Sequence, residues 1–182
     1  MIFRAFFFSL LLLFAGCSTM KVQSDYDPKF DFKQLRSFAV VYPENRNGKT
    51  LTQSRIAEAL KARMVKKGYI PADKRSADFV MIFHTDVTSR QQIVTDYQMV
   101  GFYPMYGFGF GGAVTVPVQN EYTYDEAKII IDAVDPDGNK IFWRAVATDE
   151  LKTFDTPEER ITYINHVVGE ALKSFPNRQN IE

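Results

Sequence analysis

Residues 128–148 carry the pattern that most restricts how this chain can fold, because two alternating segments flank a strong turn signal. Asp135-Pro136-Asp137-Gly138 predicts a type I turn, since proline fixes φ at the second position and glycine accepts the positive φ that follows. With a one-residue bulge at the glycine, the apolar residues would pair as Ala133 with Ile141, Ile131 with Trp143 and Ile129 with Ala145. Because side chains alternate across a strand, these pairs form the predicted core face of an antiparallel hairpin.

Two further segments predict amphipathic helices. The first opens with a Thr50/Gln53 capping box, continues with apolar residues at four-residue steps and closes at Gly68. The second opens with Thr156-Pro157-Glu158-Glu159, which supplies an N-cap, a first-turn proline and a capping acid, and it stops at Pro176. Its predicted apolar stripe consists of Ile161, Ile164, Val168, Leu172 and Phe175. The polar face of this helix is mixed rather than basic, which favours packing on the chain's own sheet over membrane docking.

The order of these elements predicts the fold class. Ala77–His84 is apolar on both faces, as in a central strand, whereas Val87–Val100 alternates and predicts a solvent-facing strand. Strands, a helix, several strands and a helix predict an α+β fold. We expect a two-layer sandwich, with a mostly antiparallel sheet and two helices on one face. The domain would span residues 22–176, followed by a C-terminal tail over 177–182.

The first 17 residues predict export and lipidation. Arg4 precedes an apolar stretch from Ala5 to Phe14, and this stretch is shorter than the ~20 apolar residues of a spanning helix. Residues 1–16 are therefore a predicted lipoprotein signal peptide, the alternative being an uncleaved anchor with a buried cysteine. Phe14-Ala15-Gly16-Cys17 resembles the bacterial lipobox, which implies acylation of Cys17 and a lipidated tether over residues 17–21. By the same resemblance Ser18, where an aspartate would favour the inner membrane, implies the outer membrane with the domain facing the periplasm.

Several short motifs follow one another along the mature chain: Ser24-Asp25-Tyr26-Asp27-Pro28, Asp31-Phe32, Phe38, Gly68-Tyr69, Ala77-Asp78-Phe79, a Gly/Tyr/Phe-rich middle, the hairpin ending in Phe142-Trp143-Arg144, and Pro157-Glu158-Glu159-Arg160 to Phe175-Pro176. In these motifs the chain resembles the bacterial lipoproteins that carry domain of unknown function 4136. Each motif is short, and it is their order over most of the mature chain that carries the resemblance. It implies an envelope lipoprotein with an α+β domain and supplies neither an activity nor catalytic residues.

Charge and residue types exclude several function classes. The chain has 22 basic and 22 acidic residues, which argues against nucleic-acid binding because that needs a basic footprint. One cysteine and two histidines, His84 and His166, offer no recognisable zinc spacing, and Asp25, Asp27 and Asp31 lack the pattern of a calcium loop. His84 is expected in the core or at its rim, and His166 in solvent. We predict no enzyme, no cofactor and no metal.

Gly101 to Gly112 is the most unusual segment, since five of its twelve residues are aromatic and five are glycine. In one interpretation it is an exposed loop that touches lipid, an envelope partner or a ligand. In the other it folds back over a sheet edge and its rings complete the core. The candidate contact residues are Phe102, Tyr103, Tyr106, Phe108 and Phe110. Pro117 indicates that any strand continuing after this segment is an edge strand.

We therefore predict a non-catalytic envelope lipoprotein that is held to the membrane by its N-terminal lipid and has a binding or assembly role with an envelope protein partner. The alternative is a small-ligand or lipid-binding carrier with a pocket between sheet and helices. An apolar cavity of several hundred Å³ would favour the carrier.

Overall fold

A computed structural model describes residues 20–43, 50–103, 112–137 and 140–180. In these ranges the chain forms six strands and two α-helices, with short 3-10 turns between them. The strands are β1 (Lys21–Tyr26), β2 (Ser37–Val41), β3 (Ile70–Pro71), β4 (Phe79–Tyr103), β5 (Gly112–Val134) and β6 (Ile141–Glu150). The helices are α1 (Leu51–Lys66) and α2 (Pro157–Ala171). The predicted α+β class is confirmed.

The six strands form one mixed sheet in the order β1-β6-β5-β4-β2-β3. β1, β6, β5 and β4 are successively antiparallel, but β2 is parallel to both of its neighbours, β4 and β3. The prediction of a mostly antiparallel sheet was therefore wrong. The physical reason is that α1 returns the chain from the end of β2 to the end of the sheet where β2 began. The next strands therefore run in the same direction as β2, since such a crossover joins parallel strands.

The helix ends follow the sequence signals closely. The Thr50 hydroxyl accepts the Gln53 N–H at 3.1 Å, and the Gln53 side chain accepts the Thr50 N–H at 2.9 Å. Gly68 has φ +92°, a conformation that L-residues with a Cβ rarely adopt. At α2 the Thr156 hydroxyl accepts the Glu159 N–H at 3.2 Å. Ile161 is 41% exposed, so the predicted stripe of α2 begins one turn later.

The main core joins both helices to alternate residues of the sheet. Ile56 and Leu60 of α1 and Val168 of α2 are fully buried in it. Its largest buried side chains are aromatic, namely Trp143, Tyr69, Phe38, Phe79, Phe83, Phe142 and Phe175. A second, smaller cluster contains the intervening strand residues, with Ala39, Ala77, Val80 and Val134 at its centre. We call the side of the sheet that carries Phe79, Met81 and Phe83 the core side.

The β5–β6 hairpin buries most of the predicted core face, but Ile141 is 46% exposed and the register differs from the prediction. Ala133 lies opposite Trp143, Ile131 opposite Ala145 and Ile129 opposite Ala147, which is two residues from the expected pairs. The ladder shifts where Val134 pairs with Ile141, leaving Phe142 as an extra residue in β6. Phe142 stacks on Phe30 with ring centroids 3.9 Å apart, so a contact distant in sequence accompanies the bulge and favours this register.

Candidate functional site

A two-stranded ribbon extends from one end of the sheet. β6 pairs with β5 only from Glu126 onwards and β2 pairs with β4 only as far as Ile82, yet β4 and β5 continue to pair with each other out to Tyr103 and Gly112. We call residues 89–103 and 112–125 the ribbon. Fifteen strand residues rise about 50 Å, so the ribbon is a long projection. The two strands predicted at Ala77–His84 and Val87–Val100 are thus one continuous strand, and the exposure expected for the second is confirmed.

The ribbon exposes large apolar side chains on both of its faces. Ile93, Tyr97 and Met99 share the core side and are 66%, 73% and 66% exposed. Tyr122, on the opposite side, is 55% exposed. An isolated two-stranded hairpin is marginally stable in water, and grouped apolar exposure marks interaction surfaces. The ribbon is therefore the strongest candidate for a contact surface in the described part of the chain.

Cross-strand polar contacts hold the ribbon together. The Ser89 hydroxyl bonds to the Asp125 carboxylate at 2.5 Å, and the Asn120 amide donates to the Asp96 carboxylate at 3.0 Å. At the base, Arg90 and Lys128 both contact Glu126, at 3.3 and 3.2 Å. Although partial burial opposes it, hydrogen bonds from these two cations lower the pKa of Glu126.

Two of the five predicted contact residues lie at the far end of this ribbon. Phe102 and Tyr103 belong to β4, where their backbones lie opposite Ala113 and Gly112, and their side chains are outside the described part of the structure. Tyr106, Phe108 and Phe110 lie outside the described residues. Pro117 lies in β5 opposite Tyr97, at an edge as predicted, because no third strand pairs there in the described ranges.

A pocket of about 590 Å³ lies on the core side at the base of the ribbon. Its walls come from the start of α1, the base of β4 and β5, the segment after β6, and α2. The lining is mainly apolar and includes Ile56, Val87, Ala127, Ile129, Leu151, Phe154, Tyr163 and Ile164. This matches the cavity that the carrier hypothesis requires.

A small polar network borders this base pocket. The Tyr163 hydroxyl donates to the Asp149 carboxylate at 2.8 Å, and the Lys152 ammonium lies 3.1 Å from the same carboxylate and over the Tyr163 ring. Burial and the hydrogen bond to Asp149 raise the pKa of Tyr163 above its usual range. Arg160 lies over the Phe154 ring, 5.7 Å from its centroid. Sequence reasoning missed Asp149, although its parity with Trp143, Ala145 and Ala147 places it on the buried face.

The remaining sequence candidates have structural roles or lie at the surface. Asp27 and Asp31 accept backbone N–H groups two residues on, and Asp25 accepts the next N–H. His84 is exposed on β4 rather than buried, and His166 is exposed on α2 as predicted. Cys17 lies outside the described residues. Among residues 20–43, 50–103, 112–137 and 140–180, no group of three His, Cys, Asp or Glu side chains could hold a metal, and no helix is long and apolar enough to cross a membrane.

The described fold can now be compared with known proteins. The family model described as domain of unknown function (DUF4136) matches residues 22–177, which is most of the chain. The chain belongs to the DUF4136 family. The matched range includes both helices, the whole ribbon and the base pocket, so all of them belong to the DUF4136 domain. None of the curated proteins matches this DUF4136 chain.

Among solved structures, the DUF4136 chain is similar to a PDZ domain protein from Parabacteroides distasonis, at 16% identity and a TM-score of 0.50. That similarity covers 92% of this chain and 39% of the other, so the DUF4136 chain spans about two fifths of that protein's length. Two PelC dodecamer structures from Paraburkholderia phytofirmans, one of a single-residue variant, match at 11% identity with TM-scores of 0.41 and 0.39. Both cover 84% of this chain and 94% of theirs. At such identities the similarities concern the fold alone.

Proposed function

We propose that this DUF4136 protein is a lipoprotein anchored to the outer membrane through Cys17, and that it acts by binding in the periplasm rather than by catalysis. The signal-like segment before Cys17 supports export and acylation. β1 begins at Lys21, the last residue of the proposed tether, so the domain follows the anchor at once. Several acyl chains at ~0.8 kcal/mol per buried CH₂ give stable attachment.

The observation that carries the binding role is the ribbon. A strand pair about 50 Å long makes little contribution to a core that lies at its base, so its length calls for another explanation. Its exposed apolar side chains, and its backbone edges that no strand of the described ranges pairs with, are the two features by which sheets recruit other chains. We propose that the ribbon is the surface through which the anchored domain contacts another envelope protein.

We further propose that the domain is a two-layer sandwich with both helices on the core side. Side chains from α1 and α2 enter the same core cluster, together with Phe79, Met81 and Phe83. The cluster on the opposite side contains only strand and loop residues from the described ranges. This arrangement supports the binding proposal, because it leaves the ribbon as a direct extension of the sheet layer.

Membrane attachment is tested by Cys17→Ser in the full chain, with Ser18→Ala as the matched control. We expect Cys17→Ser to move the protein from the membrane fraction to the soluble fraction, while Ser18→Ala stays attached. Attachment of Cys17→Ser at the unsubstituted level would refute the anchor.

The contact surface is tested by photo-crosslinking side chains placed in living cells at Tyr97 on the ribbon and at Ile70 on β3. These positions are matched in exposure, at 73% and 63%, but lie at different ends of the sheet. We expect discrete protein adducts from Tyr97 and none from Ile70. Equal labelling at both positions would show that the ribbon is not a specific contact surface.

The base pocket favours a second candidate function, that of a carrier for an amphiphilic small molecule. Its apolar lining would hold a hydrocarbon chain, and Arg160 would face an acidic head group. A fluorescent fatty acid should bind saturably to the unsubstituted chain, and Ala127→Trp should abolish binding by filling the pocket. Ala62→Trp, at an exposed position of α1, is the control. The carrier role is rejected if no saturable fluorescence change occurs.

A further inference from the structure

The ribbon has one backbone edge that is open and unguarded. β2 covers β4 only along Phe79–Ile82, so residues 83–103 of β4 have no neighbour on that side in the described structure. β4 contains no proline from Phe79 to Tyr103. Charged side chains occur on both strands of the ribbon, but the other edge, on β5, is interrupted by Pro117. Proline removes a backbone donor and protects an edge strand, so the β4 edge is the one available for pairing.

We propose that this β4 edge pairs antiparallel with the β4 edge of a second copy of the chain, about a twofold axis at Ile93. The inference rests on the proposed role of the ribbon as a contact surface, and it names the partner.

The direction of the backbone groups is the first support. The Leu151 N–H donates to the Asp125 carbonyl at 2.7 Å, so the carbonyl of Asp125 points away from β4. Pro117 lies eight residues earlier in β5 and therefore has the same backbone direction, and it has no N–H that could pair with β4. Ser89, Ile93 and Tyr97 lie opposite Asp125, Glu121 and Pro117. Backbone groups alternate in direction along a strand, so these residues of β4 direct their N–H and C=O groups to the open edge.

The extent of the open edge is the second support. A twofold axis pairs residues whose numbers have a constant sum, and the open stretch of 83–103 is centred on residue 93. Pairing about Ile93 places Val87 opposite Met99, so the ladder stays within the regular part of β4, before the register shift between Met99 and Gly101. Seven outward-facing residues from Val87 to Met99 would exchange about 14 backbone hydrogen bonds with the second copy.

Side-chain complementarity is the third support. In this register Arg90 lies opposite Asp96 of the second copy, and Asp96 lies opposite its Arg90. The exposed Val87 and Met99 face each other, and Ile93 lies beside its own symmetry mate. The Arg90 and Asp96 positions form the closely spaced pairs of an antiparallel ladder, in which side chains approach best. If one copy slid by two residues along the other, Arg90 would lie opposite Val94 or Gln98, and both ion pairs would be lost.

The register is tested by disulfide formation in the full chain extracted in detergent, with an added oxidant. Across the proposed axis the Cα atoms of residue 93 would lie about 5.5 Å apart, which a disulfide can bridge. Ile93→Cys should therefore give a covalent dimer. Tyr122→Cys is the matched control, because it is similarly exposed on the same ribbon but its symmetry mate would lie about 15 Å away across the two β4 strands. Equal dimer yields from both variants, or none from Ile93→Cys, would overturn the proposal.

Charge reversal tests the partner's identity. In the Ile93→Cys background, Arg90→Asp and Asp96→Arg each create two like-charge pairs and should lower the dimer yield roughly tenfold. Producing the two variants together should restore a mixed dimer, because every pair is then of opposite charge. Arg75→Asp, an exposed substitution outside the ribbon, should have no effect. Independent behaviour of the two variants on mixing would contradict the twofold pairing.

These results are distinguishable from failure of the proposed function. If Cys17 is not acylated, the unsubstituted chain itself forms a disulfide dimer through Cys17 under the oxidant, whatever happens at residue 93. If the partner is another protein, Tyr97 crosslinks to it in cells while Ile93→Cys gives no homodimer. The first result refutes the anchor and the second refutes the second copy.

Discussion

The ion pair between Asp132 of β5 and Arg144 of β6 offers a sharp test of how the sheet is stabilised. The guanidinium donates two hydrogen bonds to the carboxylate, at 2.6 and 2.7 Å, in the bidentate geometry that makes such pairs strong. The Asp132 side chain is only 6% exposed, whereas that of Arg144 is 48% exposed. We consider Arg144→Met, which keeps the aliphatic bulk and removes the partner of a buried carboxylate.

Removing one member of a fully buried pair typically costs 3–5 kcal/mol, because the other charge is left uncompensated. Here water reaches the guanidinium, so the free energy of unfolding should fall by a smaller amount, about 2 kcal/mol. Asp132→Asn should cost less, about 1 kcal/mol, since Arg144 can turn into solvent. The double variant should be more stable than the sum of the single effects predicts, by about 1–2 kcal/mol.

The assay is denaturant unfolding of the four proteins, followed by circular dichroism and by Trp143 fluorescence. Lys173→Met is the matched control, since it removes the exposed Lys173–Glu170 pair and should cost less than about 0.5 kcal/mol. If the two single effects at Asp132 and Arg144 add within about 0.5 kcal/mol, the pair is not coupled and the reasoning fails.

Four further changes have defined outcomes. Gly68→Ala should lower the free energy of unfolding by about 1 kcal/mol because of the +92° φ, as read from urea midpoints, and an unchanged midpoint would contradict this. Burial raises the pKa of Tyr69 from 10.0 to about 12, and the pKa of Tyr163 is also raised. The stability that these two phenols contribute should therefore be constant below pH 10 and fall as pH rises towards 12, and replacing both by Phe should flatten that fall in alkaline melting curves. Hydrogen bonds from the Ser37 and Arg36 backbones and from the Ser37 hydroxyl outweigh burial and lower the pKa of Asp78. The contribution of Asp78 to stability should therefore be present above pH 3.8 and be lost on acidification below it, and Asp78→Asn should remove this acid-dependent part of the melting temperature. Replacing residues 92–122 by a two-residue Asn-Gly turn should leave the melting temperature within a few degrees, since the ribbon lies outside the core, and a large drop would show that its far end packs on the domain.

Local signals predicted the local structure well. The Thr50/Gln53 capping box, the Thr156 N-cap and the Gly68 turn each involve residues close together in sequence, so the start of both helices and the end of α1 could be predicted. The hairpin register could not, because the bulge at Phe142 is favoured by stacking with Phe30, more than 100 residues earlier. The parallel placement of β2 was missed for a similar reason, since Asp78 ties β2 to β4 across 41 residues.

The candidate site was predicted only in outline. The alternation of Val87–Val100 indicated an exposed strand, and Pro117 indicated an edge, but neither gives the length over which β4 and β5 pair without a third strand. That length depends on where β6 and β2 stop, at Glu150 and Val41. The base pocket follows from the same geometry, since it lies where the ribbon leaves the sheet.

The position of Lys21 has a consequence for the orientation of the anchored molecule. Lys21 lies level with Thr148, Lys128 and Asp86 across the sheet, at the end from which the ribbon departs. Four residues from Cys17 span at most about 14 Å, whereas the ribbon is about 50 Å long. If the ribbon pointed towards the membrane, its far part would enter the bilayer and carry Asp96 into the hydrocarbon at high cost. A molecule anchored as proposed therefore cannot point its ribbon at the membrane. With the long axis along the membrane surface, a twofold axis along the membrane normal would bring both anchors of the proposed dimer to the same leaflet.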